Sequence, residues 1–216
     1  ASRGGPRYHV TSRAEEAHKN MADRKGDWMQ TYTGRQFWPL DPRPEDVVIE
    51  DIARALSMQC RFAGHCAKFY SVADHSVRVS MLADENSTLA LAGLLHDAAE
   101  AYVVDVPRPL KRFLPGYKEI EREVARAIEK RFGLPVDIFE HGAIKHFDEV
   151  LLATEARDIM GGQNAGKWTL RAPPLTERAE PLDSAAAEAA FLSRFHALNE
   201  RLRLINTPQH APHAPK

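Results

Sequence analysis

Residues 88–102 are apolar on nearly every face of a helix, yet His96, Asp97 and Glu100 lie inside them. A helix without a polar face belongs at the centre of a protein. Leaving ionisable groups unpaired there costs on the order of several kcal/mol, so the sequence demands a partner for them. A divalent cation would compensate all three together. Imidazole and carboxylate favour borderline or hard ions, namely Mn, Fe, Co, Zn or Mg, over ions that seek thiolates. Neighbours on a helix diverge by about 100°, but both can reach an ion seated beside their turn.

Two ligands do not make a site, and the chain offers more. Ser71 and Asp74 form an N-cap pattern that places His75 in the first turn of the helix that follows. Residues 146–158 are helical by periodicity, and Asp148 shares a face with Leu151 and Leu152. The metal-ligating candidates are therefore His75, His96, Asp97 and Asp148, around one divalent ion.

The rest of the chain predicts an all-α fold, a helical bundle with one small N-terminal hairpin. Residues 1–27 read as a flexible tail, 28–205 as a single domain and 206–216 as a second tail. β-Branched and aromatic residues on either side of Gly34 predict the hairpin. Helices are expected over 49–56, 72–83, 88–103, 117–132, 137–142, 143–160 and 185–204. Residues 105–115 read as a proline-rich loop, and 161–181 as a long surface excursion.

Lysine plus arginine number 29 against 30 aspartate plus glutamate, a net charge of -1. Without a polybasic block, strong nucleic-acid binding is not expected. Cys60 and Cys66 are too few for a thiolate metal site and read as ordinary thiols. No stretch is apolar enough to span a membrane, and the N-terminus lacks the apolar region of a secretory signal. The expected location is the cytoplasm.

A histidine, then a His-Asp pair, then a lone aspartate, each on its own helix, resembles the HD-domain phosphohydrolase superfamily. Four segments narrow the likeness: Tyr70-Ser71-Val72-Ala73-Asp74-His75-Ser76, Leu95-His96-Asp97-Ala98-Ala99-Glu100, Asp105-Val106-Pro107-Arg108-Pro109-Leu110-Lys111, and Asp148. Together they look like the bacterial and phage HD-domain 5'-deoxynucleotidases, over residues 49–158. The resemblance implies an HD-type bundle holding one metal at His75, His96, Asp97 and Asp148, with Glu100 as a catalytic carboxylate. It further implies that Asp105 contacts the sugar hydroxyl and that Arg61 and Lys111 contact phosphate.

Phe62 stands where the motif has a tryptophan that packs on the sugar, which leaves selectivity against a 2'-hydroxyl open. Arg108 stands where those enzymes usually carry threonine, and it adds a cation suited to a longer phosphate chain. His65 and Lys68 share the Arg61 loop and are candidates for further phosphate contacts. The resembling enzymes commonly associate, which implies a homodimer. The expected activity is metal-dependent hydrolysis of a 5'-(deoxy)nucleotide monophosphate to nucleoside and phosphate. The alternatives are a (deoxy)nucleoside triphosphate hydrolase and a non-catalytic nucleotide-binding sensor.

Overall fold

A computed structural model describes residues 23–160 and 167–206. In chain order the elements are β1 (Met29–Gln30), β2 (Gln36–Phe37), α1 (Ile49–Met58), α2 (Val72–Leu82), α3 (Ser87–Leu95), α4 (Glu100–Val103), α5 (Arg108–Lys111), α6 (Pro115–Arg131), α7 (Gly142–Asp158) and α8 (Ser184–Asn206). Single 3-10 turns lie at Pro44–Asp46, Arg61–Gly64 and Ile138–Glu140. The fold is all-α, with one antiparallel hairpin that pairs Met29 with Phe37 and Gln30 with Gln36. Gly34, at φ +82, supplies the left-handed turn residue the hairpin requires. Expectations for residues 1–22, 161–166 and 207–216 lie outside the described residues.

The apolar segment forms the centre, as a helix without a polar face must. Asn86 starts α3: its side-chain oxygen accepts from the N–H groups of Thr88 and Leu89, both at 3.0 Å. Leu91, Leu94 and Leu95 are wholly buried against Ile52 and Leu56 of α1, Val72 and Ala73 of α2, and Phe191 and Leu198 of α8. Among the described residues no helix is long and apolar enough to cross a membrane.

Three expectations are corrected. The helix expected over 88–103 is interrupted. Between Leu95 and Glu100 the backbone tightens to i→i+3 bonds, Ala98 N–H to Leu95 O at 2.9 Å and Glu100 N–H to Asp97 O at 3.0 Å. Hydropathy alone does not distinguish this tighter winding from an α-helix, and it falls on the His-Asp pair. The expected proline-rich loop contains the one-turn helix α5, begun after Pro107 as proline permits. Arg24, expected within the N-terminal tail, is anchored to the fold. It pairs with Asp41 at 2.8 Å and Asp46 at 2.6 Å and lies over the Trp38 ring.

Residues 167–183 carry no regular element but run along α7, tied to it by its polar side chains. Thr154 Oγ1 accepts from Leu175 N–H and Asp158 from Ala179 N–H, both at 2.9 Å. Arg157 donates to Glu177 O at 2.9 Å.

Helices α2 and α3 approach closely at Gly93, where an added Cβ would stand 3.3 Å from the Ser80 backbone. Gly93→Val is therefore expected to force the helices apart and lower stability by about 1–3 kcal/mol, measured by chemical denaturation. Gly93→Ala should cost less, since Ser80 need yield only slightly.

Candidate metal centre

The Ser71 hydroxyl accepts from Asp74 N–H at 3.1 Å, and this cap sets the first turn of α2 with His75 turned wholly inward. Nδ1 of His75 lies 2.5 Å from Oε1 of Glu155 on α7. A carboxylate only accepts, so Nδ1 donates and Nε2 is left facing the centre. His96 is set in the same way: its Nδ1 donates to Gly93 O at 2.8 Å. Both Nε2 atoms are buried and have no hydrogen-bond partner.

These Nε2 atoms converge on carboxylates. His75 Nε2 stands 3.2 Å from Asp148 Oδ1 and 3.7 Å from Asp97 Oδ2. His96 Nε2 stands 3.2 Å from Asp97 Oδ2. His75, His96 and Asp97 each offer a ligand atom within 4.8 Å of the others, so the three could hold one metal ion. Close approach without hydrogen-bond alignment is what lone pairs aimed at a shared cation produce. The donor set of two imidazoles and carboxylate oxygen suits a borderline or hard divalent ion.

Glu155 is the residue sequence reasoning missed. Its side chain is fully buried, accepts from the Tyr70 hydroxyl at 2.9 Å and pairs with Arg61 at 3.2 Å. The available signal was its position on the same helix, two turns beyond Asp148. Gln59 was also missed. It donates to Glu100 O at 3.0 Å and accepts from Asp105 N–H at 3.2 Å, which fixes the turn between those two carboxylates.

Arg61 is buried, with Nη1 3.4 Å from Asp97 Oδ2, so its guanidinium lies beneath the centre. Burial opposes its charge, but Glu155, Asp97 and Asp148 outweigh that and raise its pKa further. Burial likewise opposes ionisation of Asp97 and Asp148. The histidines outweigh it in both, joined by Arg61 at Asp97, and hold Asp148 at about 2 and Asp97 below the ordinary carboxylate range. Glu100 behaves oppositely. Burial first, then Asp97 and Asp105, push its pKa well above the usual value, and its Oε2 has no partner. For His75, burial and Arg61 act downward, but Glu155 and Asp148 prevail and push it up to about 9.

Two cavities open on this floor, and Asp97, Glu100, Arg108, Lys111 and Asp148 line both. One, of about 1040 Å³, has charged walls that include Lys118, Arg122 and Arg126. The other, of about 710 Å³, is bounded by Phe62, His65, Asp105, Met160, Trp168 and Leu170. Lys111 is engaged by Glu121 at 2.5 Å, and Arg108 reaches within 3.7 Å of Asp148. Lys68 is exposed and lines neither cavity, whereas His65 of the same loop lines the smaller. His141 caps α7 by accepting from Ala143 N–H, and His146 is exposed. Cys60 and Cys66 are free thiols with sulfurs 3.4 Å apart.

Metal can bind His75 only through the lone pair of a neutral ring, so below about pH 9 binding must expel the proton from Nε2. Affinity for Mn or Co should climb about tenfold per pH unit up to roughly pH 9 and then level off, read by calorimetry with one proton released per ion. Glu155→Gln should weaken the metal about 10–100-fold by loosening His75. Glu155→Ala, which also strips Arg61 of its buried partner, should destabilise the fold by about 3–5 kcal/mol.

No family model matches the chain. It is 40% identical over 176 residues to "Uncharacterized protein YfdR" of Escherichia coli (strain K12), covering 80% of this chain and 96% of YfdR. It is 35% identical over 191 residues to "Uncharacterized protein RCAP_rcc00048" of Rhodobacter capsulatus, covering 81% of this chain and 96% of that protein. Neither name carries an activity. At that identity, and across nearly the whole of both relatives, the chain belongs to the family of YfdR.

Proposed function

We propose that this chain is an HD-type, metal-dependent phosphohydrolase that converts a 5'-(deoxy)nucleotide monophosphate to nucleoside and phosphate. The observation that carries the reading is the pair of buried, partnerless imidazole nitrogens that converge on Asp97 and Asp148. His75, His96, Asp97 and Asp148 would hold one divalent ion. Such an ion acidifies water and offsets charge on a phosphoryl oxygen.

The remaining steps fall to the chain's own side chains. Glu100 stands on the floor shared by both cavities, with a partnerless Oε2 that can take a proton from water and return one. Burial, with Asp97 and Asp105, raises its pKa and makes it a stronger proton acceptor than an ordinary carboxylate. Arg61 holds Asp97 in place and offers charge to a phosphate above it. Arg108 and Lys111, on the one-turn helix α5, flank the same floor and can pair with the remaining phosphate oxygens. Asp105, fixed through Gln59, is within the cavity that would take the sugar.

Hydrolysis of a nucleoside triphosphate is a second reading, favoured by Arg108 and Lys111 on the shared floor with Lys118 and Arg122 beyond them, on walls that Glu121, Glu129 and Glu149 also line. Chelator-stripped protein, resupplied with Mn, Co, Mg or Zn and offered ribo- and deoxyribonucleotide mono- and triphosphates, separates the two. Chromatography should find nucleoside and orthophosphate from monophosphates; triphosphate or pyrophosphate release would favour the second reading. Asp97→Ala should lose both metal and turnover. Glu100→Gln should keep the metal and lose about 10²–10⁴-fold in kcat. Retained turnover in either variant would overturn the mechanism.

A further inference from the structure

The two cavities that share the candidate metal floor differ in chemistry. The larger is walled by charged side chains, among them Lys118, Arg122 and Glu129. The smaller alone has Phe62, Val106, Met160 and Trp168 on its walls. A planar heterocycle with apolar faces favours the second. Phe62 and Trp168 meet there with ring centres 6.0 Å apart and planes inclined at 61°. An edge-on pair leaves each ring at least one face that the other does not cover, and Trp168 keeps 38% of its surface exposed.

Both aromatic walls lie beside the centre. Trp168 is near the start of the stretch tied to α7, the helix that carries Asp148 and Glu155, three residues before Arg171, which reaches Glu149 at 3.3 Å, and seven before Leu175. Phe62 follows Arg61 in a turn where Phe62, Ala63 and Gly64 take φ of 57°, 51° and 79°. Left-handed backbone at two consecutive non-glycine residues is costly and persists only where its surroundings enforce it.

We propose that Trp168, together with Phe62, forms the subsite for the heterocyclic ring of a nucleotide. The nucleotide's position relative to the centre rests on the phosphohydrolase reading. The ring enters the smaller cavity and stacks on the indole, with its sugar toward Asp105 and its phosphate toward Arg61 and Asp97. Base–aromatic stacking tolerates different bases, so the subsite selects for a ring rather than for a particular base.

Tryptophan emission tests this with adenosine, adenosine 5'-monophosphate and ribose 5-phosphate as probes. Adenosine should change the emission, and the change should vanish in Trp168→Phe. Trp168→Ala should weaken adenosine 5'-monophosphate by about tenfold or more, whereas Trp168→Phe, which keeps a ring, should retain most of the affinity. The preference for adenosine 5'-monophosphate over ribose 5-phosphate should fall by a similar factor in Trp168→Ala. Equal losses for both ligands, or emission unmoved by adenosine, would overturn the subsite. If no nucleotide is hydrolysed but adenosine still acts through Trp168, the subsite stands and the phosphohydrolase reading falls. Hydrolysis without any Trp168-dependent signal gives the reverse.

Discussion

A carboxylate with no exposed surface, Glu155, holds the centre together. It binds the His75 ring, the Tyr70 hydroxyl and the Arg61 guanidinium at once, and so joins α7, α2 and the turn after α1. Isolated, such a charge would cost more than most folds can spare. Satisfied on all sides, it settles below the ordinary carboxylate range, because Arg61, His75 and Tyr70 outweigh its burial. The orientation of His75 and the position of Arg61 under Asp97 both follow from it. Function at the centre thus depends on a residue that no ligand need touch.

Around this network the backbone departs from regular structure in a consistent place. Helical winding tightens at His96 and Asp97, and the left-handed residues Phe62 and Ala63 turn beside the smaller cavity. Val104, at φ 68°, turns the chain between Glu100 and Asp105 despite its branched Cβ, with its carbonyl accepting from the Tyr117 hydroxyl. Each departure aims a polar side chain, or its neighbour, at a common floor. A regular helix over the whole apolar stretch would have carried Glu100 to a different bearing from the one it holds.

Much of this was legible in the sequence, for identifiable reasons. The α6 helix has Val124, Ala127 and Ile128 buried at helical spacing, and Gly133 at φ +66 follows its end, so periodicity and punctuation agree. His96 and Asp97 stood out because polar groups in apolar surroundings violate the pattern; His75 and Asp148 followed from a helix cap, a helix face and the order of the four residues. Glu155 did not stand out, since it lies among Glu149, Arg157 and Asp158 in a helix of mixed character. Its burial is decided by Tyr70, Arg61 and His75, which are remote in sequence. Trp168 was hidden in a stretch without periodicity, where only the tertiary fold shows which way a ring points. Residues that break a local rule are visible from the sequence, and those that obey it while serving a distant partner are not.

The charge balance at the centre is incomplete as the chain alone supplies it. Asp97, Asp148 and Glu155 are held below the ordinary carboxylate range; Arg61 pairs with Asp97 and Glu155, and Arg108 reaches Asp148 at 3.7 Å. His75 is drawn up to about 9 by Glu155 and Asp148, against its burial and Arg61. Glu100 is pushed well above its usual value by burial first, with Asp97 and Asp105 adding to it. A divalent ion among the Nε2 atoms would require a neutral His75 and would offset the share of the Glu100 shift that comes from Asp97, leaving the share due to burial. Binding at such a centre and the release of the His75 proton are then the same electrostatic event.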